Sequence, residues 1–282
     1  MLSSARDEKE VFRECDTLRP RIHNPIQEKI MKVLLAGGSG MVGTFITPYL
    51  MKHHELRVFD LREPTHDVDF VKGSLTNPDD LRRALDGIDT FIDVAMLSPQ
   101  GGGVTDQDEK IITENYQVNC QGLHLLLFVA QEMGIKNGVY TSTMSVHYRG
   151  RENYPNEDEI PLDTPSAYGL SKGFGELICR YFARWFDMNL AALRITGPRP
   201  RDRWIEERRN PPDYPGLIGK LYITDEEDLA NAYLAALERV QIGHGLFDAY
   251  FISGDENGEE MNMSKAKRDL GWEPLTQTRV RI

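Results

Sequence analysis

The sequence predicts an α/β fold, a doubly wound parallel sheet covered by helices on both faces. Three observations carry that reading. Short apolar runs alternate with helically spaced ones from Met31 onward, and the first run, Lys32 to Ala36, breaks into Gly37, Gly40 and Gly43 before a helical pattern resumes. The next run, Leu56 to Asp60, ends in a carboxylate. Alternation of this kind buries a parallel sheet between two helical layers and leaves ligands beyond the carboxyl ends of the strands.

Taken in order, the expected strands are Lys32 to Ala36, Leu56 to Asp60, Asp69 to Lys72, Thr90 to Ala95, Gly138 to Ser142, Leu190 to Ile195 and Ala249 to Ser253. Between the third and fourth, Asn77-Pro78-Asp79-Asp80 reads as a helix start, with Asn77 as N-cap and Leu81 and Leu85 one turn apart on the buried face. Glu109 to Met133 and Ser166 to Phe186 read as longer helices, and Asp228-Leu229-Ala230 sits in another. Gly101-Gly102-Gly103 directly follows the fourth strand and is expected to form a flexible loop beside the cleft. The stretch Arg199 to Arg209, followed by Pro211, Pro212 and Pro215, reads as irregular, solvated chain. Residues 1–30 show no sustained pattern and form an N-terminal extension without assigned role, and Met31 looks like the start of the folded unit.

Composition narrows the function classes. A net charge of -11, with 44 acids against 33 bases, argues against a nucleic-acid surface, which needs clustered Lys and Arg. Cys15, Cys120 and Cys179 are widely separated and lack any C-x-x-C spacing, so neither a disulfide framework nor a metal site is expected. The longest apolar run, Leu123 to Ala130, is far short of the ~20 residues that span a bilayer, and the N-terminus has no apolar signal core. The expectation is a cytoplasmic protein that acts on a small molecule, without membrane or nucleic-acid partners.

Two features carry chemistry. The spacing of Gly37, Gly40 and Gly43 allows a tight turn and brings a helix N-terminus, with its unpaired N–H groups and partial positive charge, against a pyrophosphate. Asp60 then stands where it can accept the hydroxyls of an adenosine ribose, which makes the whole a dinucleotide site in outline. Asp60 favours NAD over NADP because a carboxylate repels a 2′-phosphate, while Arg62 lies close enough to swing toward such a phosphate. The second feature is Tyr168-Gly169-Leu170-Ser171-Lys172, whose four-residue spacing puts phenol and ammonium on one helix face. A nearby ammonium favours phenolate, so Tyr168 is expected to take a proton from an alcohol while Lys172 also bonds a cofactor ribose. The strand Val139-Tyr140-Thr141-Ser142-Thr143 ends in hydroxyls at the same crevice, placed to hold a substrate oxygen.

These residues resemble the extended short-chain dehydrogenase/reductases, the NAD-dependent epimerase/dehydratase group, from Met31 to about Leu275. The pieces are the G-x-x-G-x-x-G of Gly37, Gly40 and Gly43, then Asp60, Asn119, the hydroxyl strand, and Tyr168 with Lys172. Leu193-Arg194 before Gly197-Pro198-Arg199, and Leu270-Gly271-Trp272-Glu273-Pro274, complete them. The resemblance implies a Rossmann fold over 31–282, with a small, trimmed C-terminal substrate-binding lobe built mainly from 197–224 and 241–282. It implies Thr143 as the catalytic hydroxyl, Tyr168 as base or acid, Lys172 as its partner and Asn119 as support of the proton relay. It also implies an NAD bordered by Gly37, Gly40, Met41, Val42, Gly43, Asp60, Leu61, Ser74, Leu75, Val94, Ala95, Met96 and Lys172. This chain has Ser74 where the family often has Asp, and Asp93-Val94-Ala95-Met96 where many members have His-x-Ala-Ala.

The same site serves dehydrogenases, epimerases and dehydratases. Dehydratases of the family place an acidic pair after the hydroxyl residue, where this chain has Met144 and Ser145, so elimination lacks its proton donor. Nucleotide-sugar epimerases carry a long segment after the Gly-Pro turn, whereas only a short one separates Arg199 from Thr224. The trimmed layout looks like the uronate dehydrogenase branch. That likeness implies a substrate pocket drawing on Ser98, Thr143, Met144 and Ser145, with Arg199, Arg201 or Arg203 as a fork for a carboxylate. The expected function is hydride transfer from a hydroxyl-bearing carbon of a small sugar, sugar acid or polyol to NAD. A nucleotide-sugar epimerase and a non-catalytic NAD(P)-binding protein remain the alternatives. Relatives with this fold often pair through the helices of Glu109 to Met133 and Ser166 to Phe186, so a homodimer is possible.

Overall fold

The computed structural model describes residues 29–97, 107–213, 220–243 and 245–274. Its first strand, β1 (Lys32–Ala36), is followed by α1 (Met41–Leu50), β2 (Glu55–Asp60) and β3 (Asp69–Lys72). Next come α2 (Pro78–Leu85) and β4 (Thr90–Asp93). Then α3 (Glu109–Asn115), a π-helical stretch (Tyr116–Gly122) and α4 (Leu123–Glu132) run to β5 (Asn137–Thr143). A single 3₁₀ turn (Met144–Val146) precedes α5 (Ala167–Phe186) and β6 (Asn189–Ile195). The chain continues through β7 (Pro198–Arg199), α6 (Arg201–Arg209), β8 (Thr224–Asp225), α7 (Glu226–Val240), β9 (Phe247–Ile252) and α8 (Ser264–Leu270).

Seven strands form one sheet in the order β3-β2-β1-β4-β5-β6-β9, every pair parallel. The order reverses between β1 and β4, where Ala36 pairs with both Phe59 and Asp93, and at such a switch point the carboxyl ends of the strands open a crevice. One face packs under α1 and α7 through Ile46, Leu229 and Tyr233. The other packs under α2, α4 and α5 through Leu81, Leu126 and Phe182. The sheet is therefore doubly wound. β7 and β8 form a separate two-stranded ribbon, and Tyr154 bridges Met261.

Local chemistry explains most boundaries. Asn77 Oδ1 accepts from Asp79 N at 3.0 Å and Pro78 takes the first helical position, as the sequence predicts for α2. Ser166 caps α5 by accepting from Gly169 N at 3.0 Å, and the helix ends where Asp187 turns left-handed at φ 53°. β4 stops two residues short of the expected Ala95 because the Asp93 side chain accepts from Ala95 N at 3.0 Å and turns the backbone out of the ladder.

Two expectations are corrected. The helix read from Glu109 to Met133 is interrupted by the π-helical Tyr116–Gly122, where Gly122 sits against Leu75. Arg199 to Arg209 is not irregular: α6 forms there, with Trp204 buried and Arg199 and Arg203 both paired to Glu207. Ser98, the Gly101 to Gly103 loop and residues 1–28 of the extension lie outside the described residues. Among the described residues no helix is long and apolar enough to cross a membrane, and no cluster of His, Cys, Asp and Glu is placed to hold a metal ion.

Candidate active site

The turn from β1 into α1 is built to come close to a ligand. Gly37 has φ +82°, and a Cβ there would lie 2.5 Å from the Ala95 backbone, so the ends of β1 and β4 touch only because the residue is glycine. Gly40 N donates to Gly37 O at 3.0 Å and caps α1 without a side chain, and Gly43 packs directly on Gly38. No acid occupies the first turn of α1, which leaves its N–H groups and partial positive charge for an anion. Val42 is buried beneath this turn, whereas Met41 and Leu61 are exposed at its rim.

Asp60 stands at the end of β2, as expected. Its Oδ2 accepts from Ser39 N and its Oδ1 from Arg62 N, both at 3.1 Å, which fixes the carboxylate beside the glycine turn. The Arg62 guanidinium points at Ser39 O, 3.5 Å away. Ser74 donates its N–H to Asp80 and shares a 2.8 Å hydroxyl contact with Thr76, while Leu75 and Val94 are buried in the two cores.

The second half of the site comes from β5 and α5. Thr143 ends β5 and its Oγ1 accepts from Ser145 N at 3.1 Å. Gly169 lets α5 settle on the turn that follows, since a Cβ there would fall 2.1 Å from Ser145 O. That approach brings the Tyr168 phenol close to the Thr143 hydroxyl. Burial pushes the phenol up to about 12, and the hydrogen bond with Thr143 pulls the other way. The phenol also donates to Met96 Sδ at 3.2 Å.

Burial, rather than the ammonium expected to favour phenolate, sets the direction of the Tyr168 phenol, and Lys172 lies over the Tyr140 ring. Lys172 is 1% exposed, with Nζ 4.2 Å above the Tyr140 ring and no hydrogen-bond partner among the described residues. Burial lowers it to about 8, against the field of Asp93. A buried, unbonded ammonium is a group waiting for an acceptor.

Asn119 lies in the π-helical stretch, where the extra residue per turn turns its side chain inward. Its Oδ1 accepts from Leu97 N at 3.0 Å, and its amide nitrogen faces Leu97 O, Asn115 Oδ1 and Ser171 Oγ at 3.1, 3.0 and 3.0 Å. It thus ties the end of β4 to α5 through Ser171, one residue before Lys172.

The arginines expected to grip a substrate carboxylate are engaged otherwise. Arg199 Nε meets both Glu207 oxygens at 2.9 Å, Arg203 pairs with the same carboxylate, and Arg201 pairs with Asp225 and Glu227. Met144 does not face an open crevice. It is buried in a small cluster with Tyr154, Ile160, Tyr222, Phe251 and Met261, leaving Ser145 half-buried beside Thr143.

Sequence reasoning missed two things. One is the buried network behind β5, in which Arg194 forks onto Glu176 at 2.9 and 2.7 Å, Ser142 donates to Glu176 at 2.6 Å, and Arg194 also reaches His147 and Glu157 O. The other is Asp93, 2% exposed, which registers opposite Tyr140 on the face where Lys172 lies. Its departure from the family pattern was the only available signal.

The NAD-dependent epimerase/dehydratase family matches residues 33–203, more than half of the chain. A 3-beta-hydroxysteroid dehydrogenase of Mycolicibacterium neoaurum is 33% identical over 138 residues, which are 47% of this chain and 37% of that protein. The solved structure of MoeE5 in complex with UDP-glucuronic acid and NAD superposes with a TM-score of 0.70 at 19% identity, covering 86% of this chain and 93% of that one. A mutated uronate dehydrogenase gives 0.68 at 21%, covering 87% and 82%. The chain spans about half the length of the curated relatives it matches, from 36% to 58%. The extent of the family match, over the same turn, strands and helix that build the crevice, makes this chain a member of the NAD-dependent epimerase/dehydratase family.

Proposed function

We propose that the protein is an NAD-dependent oxidoreductase that oxidises a hydroxyl-bearing carbon of a small sugar, sugar acid or polyol. The observation that carries this reading is the Tyr168 phenol beside the Thr143 hydroxyl, four residues before a buried Lys172 ammonium with no hydrogen-bond acceptor among the described residues. The residues present fit the cofactor. The Gly37 turn has no room for a side chain, α1 offers an N-terminus without a side-chain cap, Asp60 stands at the end of β2, and Lys172 Nζ lacks an acceptor among the described residues. NAD, when bound, supplies the hydride acceptor.

The chain's own part is position and proton transfer. Thr143 orients the substrate oxygen, Tyr168 takes its proton, and Lys172 donates to a ribose hydroxyl. Met96 gives up the phenol's hydrogen bond when a substrate hydroxyl takes its place. The shortness of the sequence between β7 and β8 favours a small molecule over a nucleotide sugar as substrate. MoeE5 and the uronate dehydrogenase support a sugar or sugar acid, although Arg199, Arg201 and Arg203 must leave their carboxylates before gripping one. A stripe of exposed apolar side chains on α5, Leu170, Phe174, Leu177, Tyr181 and Trp185, supports a second copy of the chain as partner.

A panel of aldoses, uronates, polyols and a 3β-hydroxysteroid, each with NAD and NADP, tests the reading by NADH absorbance. The expected result is NADH from a sugar-type alcohol, with NAD bound at least about tenfold tighter than NADP, roughly 1.4 kcal/mol. Epimer interconversion without net NADH identifies an epimerase. Turnover of the steroid alone replaces the substrate class, and cofactor binding with no turnover of any alcohol defeats the enzyme reading.

A further inference from the structure

Asp93 ends β4 at the switch point and pairs in register with Tyr140 of β5, so the two side chains share one face of the sheet. Lys172 of α5 sits on that same face, its Nζ 4.2 Å over the Tyr140 ring, and Tyr140 Oη donates back to Lys172 O at 3.2 Å. Asp93 is 2% exposed and Lys172 1% exposed. They form no direct bond: Asp93 Oδ1 is used by Ala95 N, and Lys172 Nζ has no hydrogen-bond partner among the described residues. The carboxylate therefore acts on the ammonium through the low-dielectric space between β4, β5 and α5, where a field reaches further than in water.

We propose that Asp93 is a positioning residue for Lys172, a buried counter-charge that keeps the ammonium protonated over the Tyr140 ring and ready to bond the cofactor ribose. Its place in the fold is one where many family members carry histidine. The inference rests on the assignment of Lys172 to the cofactor.

The electrostatics agree with the placement. Burial lowers Lys172 to about 8, and the largest opposing influence is Asp93. Burial raises Asp93 to about 6, and the largest opposing influence is Lys172. The other groups facing Lys172 are Cys120 from the π-helical stretch and Cys179 and Glu176 from α5. Both thiols are pushed up by burial and stay neutral, and Glu176 is committed to Arg194. Asp93 is thus the uncommitted anion in this set. Between about 6 and about 8 both partners are charged. Above that window Lys172 loses its proton, and below it Asp93 gains one while Lys172 stays charged.

The test is NADH affinity as a function of pH, read by fluorescence titration with the full chain and no substrate. The native protein should bind evenly through neutral pH and weaken above about 8. In Asp93→Asn the break should move down by at least about one pH unit, so affinity at pH 7.5 falls roughly three- to tenfold while at pH 5.5 it equals the native value. Asp93→Glu should restore much of the native profile. A break that stays in place, or a loss that is uniform across pH, overturns the proposal. Absence of NADH binding by the native chain instead overturns the assignment of the site itself. Should Asp93→Asn fail to fold, the native chain still decides: the Lys172 Cε resonance should register a titration near pH 6, and a flat resonance there contradicts the coupling.

Discussion

Tyr168→Phe should lower kcat by about 10²–10⁴, the range attributable to a positioned proton acceptor, on whichever alcohol yields NADH. NADH affinity should stay within about twofold of the native value, because the phenol hydroxyl touches Thr143 and Met96 rather than the glycine turn or Asp60. The measurement is steady-state kinetics beside a fluorescence titration of cofactor. The native enzyme should also show a pH dependence with a definite sign. Burial holds the phenol in its acid form at neutral pH, so alcohol oxidation gains as pH rises until Lys172 deprotonates, and carbonyl reduction loses. Near-native turnover in Tyr168→Phe removes the phenol from the mechanism.

The largest expected effect on stability lies one layer behind the site. Arg194 and Glu176 are 2% and 0% exposed at their side chains and meet through two hydrogen bonds, with Ser142, His147 and the Glu157 carbonyl closing the network. Removing one partner leaves a charge buried without compensation, which costs about 3–5 kcal/mol. Arg194→Met should therefore lower Tm by roughly 6–20 °C in calorimetry, at about 2–4 °C per kcal/mol for a chain of this size. Replacing Glu176 by Gln in the same chain should recover much of the loss.

The pH dependence of that loss has a fixed direction. Burial works to raise the Glu176 carboxyl, but Arg194 and Ser142 hold it below the ordinary range. A depressed carboxylate contributes stability that is full above its unfolded value and fades as pH falls through the folded one. The gap between native and Arg194→Met should accordingly be widest near neutrality and narrow on acidification below pH 5. An equal gap at every pH would point to lost packing rather than charge.

What could be read from letters alone divides along a physical line. The inner strands are legible because a sheet buried on both faces demands continuous apolar runs, and the ends of all seven fall within two residues of expectation. Asn77 and the glycine turn are equally legible, since each is a local device whose residue types are dictated by backbone geometry. α6 escaped because its single buried apolar anchor, Trp204, gives no periodicity, and its stability comes from Arg199 and Arg203 closing on the buried Glu207. Those pairings engage two of the arginines that looked free for a substrate, and Asp225 and Glu227 engage the third, Arg201. The π-helical turn has no compositional signature, because it adds one residue to a pattern that otherwise reads as helix. The coupling of Asp93 to Lys172 joins positions far apart in the chain, and only the β4 and β5 register brings them to one face.

A crystal structure of the chain with NAD tests the central claim most directly. The account predicts Lys172 Nζ at about 2.7–3.2 Å from a hydroxyl of the nicotinamide ribose, with the Tyr168 phenol and Thr143 hydroxyl converging beside the reactive face of the ring. Nicotinamide bound away from Tyr168, or Lys172 still seated over Tyr140 with the ribose beyond its reach, would contradict it.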